Sequence, residues 1–370
     1  MATQTGTRRT YDSQIGLRQN IEDVIWLISP FDVPLLGSFG PERRAVLGSE
    51  DVDSVKVEWL EDELVPGSDL LNGAAVTAAA FITVDNRGYF KTNDLLRIDN
   101  EFLRVSGYGV TASTLLVERS WGTPAATQHV DNSTVLILGT LPAEGADPVS
   151  GINFTRTTPY NITQIYQDEV EVTRTAEKAA MYGVKSEAAY QIAKRVKENA
   201  IKLERNTILG TRNDDSTNKK RSMGGLDYFI ATNVDSTTTV ITNAKILDIL
   251  QNSYNYGGAI DYFLMGGTQK RQISALYSTY VRISRDDNVR GSVVDYFESD
   301  FGRIYMVLDR WVPTRFMFGI ESQYVNFSWF DRFFTEALAK TGDRQKWEVL
   351  AEVSLKVRNE KAHCKFTALT

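Results

Sequence analysis

Hydrophobic and polar positions recur along this 370-residue chain with periods that change from segment to segment. Leu17, Ile21, Val24 and Ile28 fall at helical spacing, which predicts a short amphipathic helix capped by Asp12 or Ser13. Pro30 and Pro34 end it, and SPFDVPLLGSFG reads as an extended, turn-rich arm of the kind that packs on a neighbour. Val55, Val57 and Trp59 then alternate with Lys56 and Glu58 as a strand. Over residues 81–140 the apolar runs FITV, LLRI, FLRVSG, TLLVERSW and TVLILG are divided by DNRG, TND, GYGVTAS and GTPAATQHVDN. Short strands at this spacing, with no helical stretch between them, predict a small β-barrel or sandwich.

The period then changes to helical. In SEAAYQIAKRVKENAIKLERNTILG, Ala189, Ile192, Ala193, Val196, Ala200, Leu203 and Thr207 form one stripe among lysines, arginines and glutamates. Ser186 is the expected cap at its start and Gly210 at its end. A helix over 187–209 is roughly 35 Å long, the length of a scaffold element. TRNDDSTNKKRSMGG is expected as an exposed polar loop. Between 226 and 312, AKILDILQNSYNYGG and TQKRQISALYSTYV predict helices and DYFLMGG and GRIYMVLDRWV strands, an α/β unit with a small sheet. Near the C-terminus Trp347, Val349, Ala351, Val353, Leu355 and Val357 face one way. Glu348, Glu352, Ser354, Lys356 and Arg358 face the other, with Leu350 the apolar exception. After the turn RNEKA, HCKFTA is expected to pair back onto that strand, with Cys364, Phe366 and Ala368 on one face. Such a ribbon needs a support, and the long helix is the natural one.

Composition narrows the function classes. The formal net charge of -6 argues against a protein built to grip nucleic acid. A single cysteine, Cys364, excludes an internal disulfide and any multi-cysteine metal centre. MATQTGTRRTYDSQ has no apolar core behind its arginines, and no run of 18 apolar residues occurs, so neither a secretory signal nor a membrane span is expected.

Candidate chemistry is sparse. His363 and Cys364 are adjacent in a predicted strand and face opposite sides, so they are not expected to act as a nucleophile–base pair. His129, in the turn-like linker PAATQHVDN, reads as a surface or turn-packing residue rather than a ligand. Asp214–Asp215 and Asp286–Asp287 lack calcium-loop spacing and read as solvated loop charges. GGTQK at 266–270 echoes a phosphate loop, yet its Lys270 lies inside the predicted helix. NKKRS with Arg212 is the one dense basic patch, suited to phosphates, to an acidic surface or simply to solvent. Trp311, Trp329, Trp347 and the aromatics of VNFSWFDRFF read as core or interface. No catalytic residue, cofactor site or metal site emerges.

The order of these segments resembles the major capsid (major head) proteins of tailed bacteriophages, of the Hong Kong 97-type fold. The resemblance rests on IEDVIWLISPFDVPLLGSFG, VKVEWLEDEL, NITQIYQDEVEVTRTAEKAAMYG, KLERNTILG and RSMGGLDYFI. It continues through YFLMGGTQK, YFESDFGRIYMVLDRWVP and LAKTGDRQKWEVLAEVSLKVRNEKAHCKF. It implies an α+β fold with an N-terminal arm (1–48) and an extended β-loop (49–165) carrying an inserted small β-barrel-like domain (75–140). A peripheral domain (166–222 and 316–370) would hold the spine helix (187–209) and the C-terminal strands, with an axial domain over 223–315. It further implies self-assembly into hexamers and pentamers of an icosahedral head around packaged double-stranded DNA, with a separate scaffolding protein, a portal and a decoration protein as partners. Some members crosslink subunits by a Lys–Asn isopeptide bond; with Lys56 on the extended strand and Asn326 or Asn359 in the peripheral region, nothing in this sequence singles out such a pair, and crosslinking is not expected. A tail or baseplate component and an encapsulin-like compartment shell are the competing readings.

Overall fold

The computed structural model describes residues 29, 31–37, 46–122, 125–147, 149–179, 183–277 and 296–370; the helix expected over Leu17–Ile28 and the pair Asp286–Asp287 lie outside them. The chain divides into two compact units, one of residues 60–158 and one formed by the chain on either side. The described helices are α1 (Arg174–Lys178), α2 (Glu187–Leu209), α3 (Leu226–Phe229), α4 (Asn243–Asn255) and α5 (Gly267–Tyr277).

In the larger unit, α2 lies on a four-stranded sheet ordered Gly48–Asp51, Val325–Ala337, Arg344–Val357, Gln164–Thr173. The first pair is parallel and the others antiparallel, with Trp329 opposite Val353 and Tyr166 opposite Ala351. Alternation brings Val349, Ala351, Val353, Leu355 and Val357 to the face under the helix, where the last four meet Leu203, Ile208, Tyr166, Phe327 and Trp329 in one core. The Ser186 side chain caps α2 by accepting from the Ala189 amide, and Glu177 accepts from the Ser186 hydroxyl and the Ala188 amide. Gly210 ends the helix with an ordinary φ of -60; its glycine is required because a Cβ there would lie 2.3 Å from the Asn206 carbonyl.

The buried flank of α2 differs from the expected stripe. Ala189 and Ala193 are exposed, whereas Ala188, Asn199, Ala200, Leu203, Glu204, Thr207 and Ile208 are buried. The sheet contacts the helix along a line rotated by about one position, and that line accepts polar side chains.

The expected return pairing of HCKFTA is also corrected. Cys364–Phe366 pairs antiparallel with Met317–Ile320 and parallel with Val234–Asp235, not with 344–357. Asn359 in the left-handed region (φ 44) and a 3-10 turn at Glu360–Ala362 redirect the chain to a second sheet. The partner of 344–357 is the aromatic strand Val325–Ala337, whose register shifts near Trp329, Asp331 and Phe334 break the period of two.

This second sheet has six strands, ordered Val234–Asp235, Cys364–Phe366, Met317–Ile320, Tyr262–Met265, Gly302–Leu308, Tyr296–Ser299. Its central strands read as unbroken apolar runs because both faces are covered. Leu264, Phe318 and Ile320 join the core under α2, while Phe263, Met265 and Met317 pack with Ile246, Ile249, Leu250 and Ile273 of α4 and α5. Gly319 lies where a Cβ would come 2.4 Å from the Cys364 Sγ. TRNDDSTNKKRS, expected as a loop, forms a hairpin pairing Asn213–Asp215 with Lys220–Ser222.

The 60–158 unit carries an antiparallel sheet ordered Ser68–Leu70, Thr134–Thr140, Asp94–Ile98, Glu101–Tyr108, Thr114–Glu118, Phe81–Thr83. A Leu71–Val84 bridge joins its first and last strands; the Asn72 amide donates to the Thr83 carbonyl at 2.8 Å and the Asp85 amide to the Leu70 carbonyl at 3.1 Å. Inside are Leu71, Ile82, Val84, Phe90, Leu96, Ile98, Leu103, Val105, Leu115, Val117 and Val135. Each run from FITV to TVLILG carries one of these strands.

Leu203 is fully buried between α2 and the sheet. Leu203→Ala is expected to destabilise the larger unit by about 2–5 kcal/mol, against under about 0.5 kcal/mol for exposed Ala189→Ser, measured by urea unfolding of the full chain.

Candidate functional site

The residues with the most chemical potential are mostly buried and committed to structure. Cys364 is fully buried, and burial pushes its thiol up to about 12, so it stays protonated at neutral pH. His363 is equally buried. Its Nδ1 accepts from the Glu321 amide at 3.2 Å, which leaves Nε2–H to face the Arg358 carbonyl at 3.2 Å. Burial lowers its pKa to about 4 against the contrary pull of the Arg358 carbonyl and Glu360. The imidazole is therefore a neutral pin that ties the redirected C-terminal chain to the strand at 317–320.

His129 is a correction. It is not a surface or turn residue but is 1% exposed, with Nε2 3.0 Å from Glu101 and Nδ1 2.8 Å from Asp99. Glu101 is wholly buried and also accepts from Arg119 through Nε and Nη2, both at 2.7 Å, and from the Ser120 and Thr127 amides. Burial alone would raise the Glu101 pKa; these bonds, led by that of Arg119, outweigh it and hold the carboxyl at about 2. Arg119 donates onward to the Val76 and Thr127 carbonyls. One buried carboxylate thus ties a hairpin, the end of a strand and the 125–129 linker together. The alternation Asp99, Glu101 was the available signal, but only the fold brings Arg119 and His129 to it.

The basic patch is largely spent internally. Arg212 donates to the Tyr160 carbonyl and stacks over Tyr160 and Tyr228, and Arg221 pairs with Glu352 at 2.8 Å. Lys219 and Lys220 remain exposed on the hairpin. Asp215 closes that hairpin by accepting from Asn218 and Thr217, which holds its carboxyl below the usual range, while Asp214 is exposed. Gly266 precedes α5 and Gly267 opens it, and Lys270 lies within its first turn, its amide bonded to the Gly266 carbonyl. Trp329 is buried, and Trp311 and Trp347 are half-buried against the cores. Lys56 contacts Glu58 and lies over the Tyr160 ring. Among the described residues no group of three metal-ligating side chains converges, and no helix is long and apolar enough to cross a membrane.

A second buried acidic centre was not legible in the sequence. Glu204, on the buried flank of α2, accepts from the Leu35 amide at 2.8 Å and the Leu36 amide at 3.2 Å. The strap that supplies these amides is residues 31–37. Val33 and Leu35 are buried, and the Trp311 indole donates to the Asp32 carbonyl at 2.7 Å. The Glu204 carboxyl adjoins that of Asp309, itself fully buried. Burial first, and the Asp309 charge second, push the Glu204 pKa well above the carboxylate range. Asp309 rises to about 6 because burial and the charge of Asp32 outweigh the Trp311 amide.

The model of a family described as SU10 major capsid protein matches residues 3–370 of this chain. No curated protein matches it. Among solved structures, the capsid of a native GTA particle is similar at 9% identity, covering 98% of this chain and 100% of that one, with a TM-score of 0.55. A chain of Microbacterium phage Oxtober96 is similar at 11% identity, with 98% and 99% covered and a TM-score of 0.54. The capsid of Myoviridae phage XM1 shows 10% identity, 95% and 97% coverage and a TM-score of 0.52. At these identities the shared property is the fold.

Two outcomes follow from the buried charges. Arg119→Ala leaves Glu101 buried without its cation and is expected to cost about 3–5 kcal/mol in thermal or urea unfolding, with Arg119→Lys recovering only part of it. The fold holds His363 neutral, with a pKa of about 4 against an ordinary 6.5. Its contribution is complete above pH 6.5 and is lost as pH falls toward 4, a change of ~3 kcal/mol. Urea midpoints across that range are expected to fall less steeply in His363→Asn than in the wild type.

Proposed function

This chain belongs to the SU10 major capsid protein family and is the major capsid protein of a tailed phage, and from that premise we propose how its parts serve a shell. Subunits assemble as hexamers and pentamers of an icosahedral head around double-stranded DNA. Residues 1–48 act as an arm and 49–165 as an extended loop bearing the 60–158 unit as an inserted, barrel-like module. Residues 166–222 and 316–370 form the peripheral body around α2, and 223–315 the axial domain. The strands Met317–Ile320 and Cys364–Phe366 are lent to the axial sheet. A separate scaffolding protein, a portal and a decoration protein are the expected partners.

The observation that carries this reading is the layer made by α2 and the four-stranded sheet. Its strands come from three distant parts of the chain, residues 48–51, residues 164–173 and the hairpin of 325–337 with 344–357. A body clamped in this way stays rigid while arms and loops between its strands reach neighbours, so area buried between subunits supplies much of the stability. On this reading the head expands during packaging by rotation of subunits about the segments joining the two sheets. The net charge of -6 suits a shell that lines DNA rather than grips it.

Expression of the full chain, alone and with its genomic neighbours, followed by negative-stain microscopy, tests the proposal. Closed spherical shells, or isolated hexamers and pentamers, are expected. Tubes, or rings of another order, would overturn it.

A further inference from the structure

The strap at residues 31–37 is held on α2 by contacts that make an unusual demand. Glu204 Oε1 and Oε2 are each occupied by one amide, those of Leu35 and Leu36. Asp309 Oδ1 accepts from the Trp311 amide at 2.8 Å, while its fully buried Oδ2 receives no donor from the described residues. The two carboxyls nevertheless adjoin one another. Two carboxylates offer only acceptors, so the buried pair is relieved of repulsion only if one of them carries a proton. Among the described residues, the other charges nearby do not neutralise the pair. Asp32 on the strap adds negative charge, Arg205 lies over the Trp311 ring at 4.1 Å, and Lys197 over the Phe31 ring at 5.6 Å. A metal ion is a poor alternative, since no third ligating side chain converges among the described residues.

We propose that Glu204 and Asp309 form a proton-held clasp for the arm: the docked strap requires one proton shared between the two carboxyls, and removing that proton releases the strap from α2. Ionising both places two like charges side by side without water, and the pair relieves this by opening to solvent. Burial and the neighbouring acid raise the Glu204 pKa against the Leu35 and Leu36 amides, which favour its ionised form, and burial raises that of Asp309. A docked state that keeps a proton the open state gives up is favoured at low pH and weakens as pH climbs through about 6 and above. The consequence is a strap whose attachment is linked to proton activity, built into the subunit itself. The inference rests on geometry within one chain and does not depend on the shell reading.

Hydrogen exchange of the full-length protein between pH 5 and pH 9, corrected for intrinsic rates, tests it. Peptides containing Leu35 and Leu36 are expected to lose protection at least tenfold over that range in the wild type, while peptides from the interior of α2 hold theirs. Asp309→Asn supplies a permanent donor to Glu204, and Glu204→Gln one to Asp309, so protection in either variant is expected to be independent of pH. Leu35→Ala, which only weakens packing, is expected to lower protection by the same factor at every pH. A flat wild-type profile would overturn the clasp, as would an undiminished pH dependence in whichever of the two carboxyl variants folds.

Discussion

The structure depends on one buried flank of α2. Leu203 and Ile208 on that flank meet Tyr166, Phe327, Trp329 and Ala351 from the sheet below, and Leu35 of the strap joins the same core. Apolar burial supplies the driving force, but the same flank also takes Asn199, Glu204 and Thr207 out of water. Thr207 satisfies itself by donating to the Leu203 carbonyl one turn back. Glu204 cannot do so and draws in two amides of another segment. The helix thus recruits the strap through polar need as well as through hydrophobic contact.

The two units show how one residue type takes opposite states. Glu101 is buried beside a guanidinium, an imidazole and two amides, and remains ionised far below neutrality. Glu204 is buried beside another acid and takes up a proton more readily than in water. Burial opposes charge in both places; the sign of the partner decides the outcome. One centre fixes a fold permanently, and the other leaves it adjustable.

Much of this architecture was legible before any coordinates. The span of α2 is clear because a long amphipathic run carries Ser186 at one end and Gly210 at the other. The strands of 60–158 are clear because Leu96, Ile98, Leu103, Val105, Leu115 and Val117 recur at every second position within short apolar runs divided by turn signals. Pairing was harder to read. The Cys364–Phe366 strand is too short to carry a register signal, and the bulges after Trp329 conceal the true partner of 344–357. Least legible were the charged centres. Nothing local distinguishes Glu204 from the solvated acids of α2, or His129 from a turn residue, because their partners lie 105 and 30 residues away in Asp309 and Asp99.

The base of the 60–158 unit has a consequence of its own. Lys56–Glu58 pairs antiparallel with Tyr160–Ile162, and Glu61 and Thr157 exchange both amide bonds at 2.9 Å, so chain entry and chain exit run side by side. With a core complete in itself and ends already adjoining, the module is grafted like a branch at a single node. Natural or deliberate exchange for a tight two-residue turn, or for foreign cargo with similarly adjacent termini, leaves the reading frame of every other strand pairing untouched.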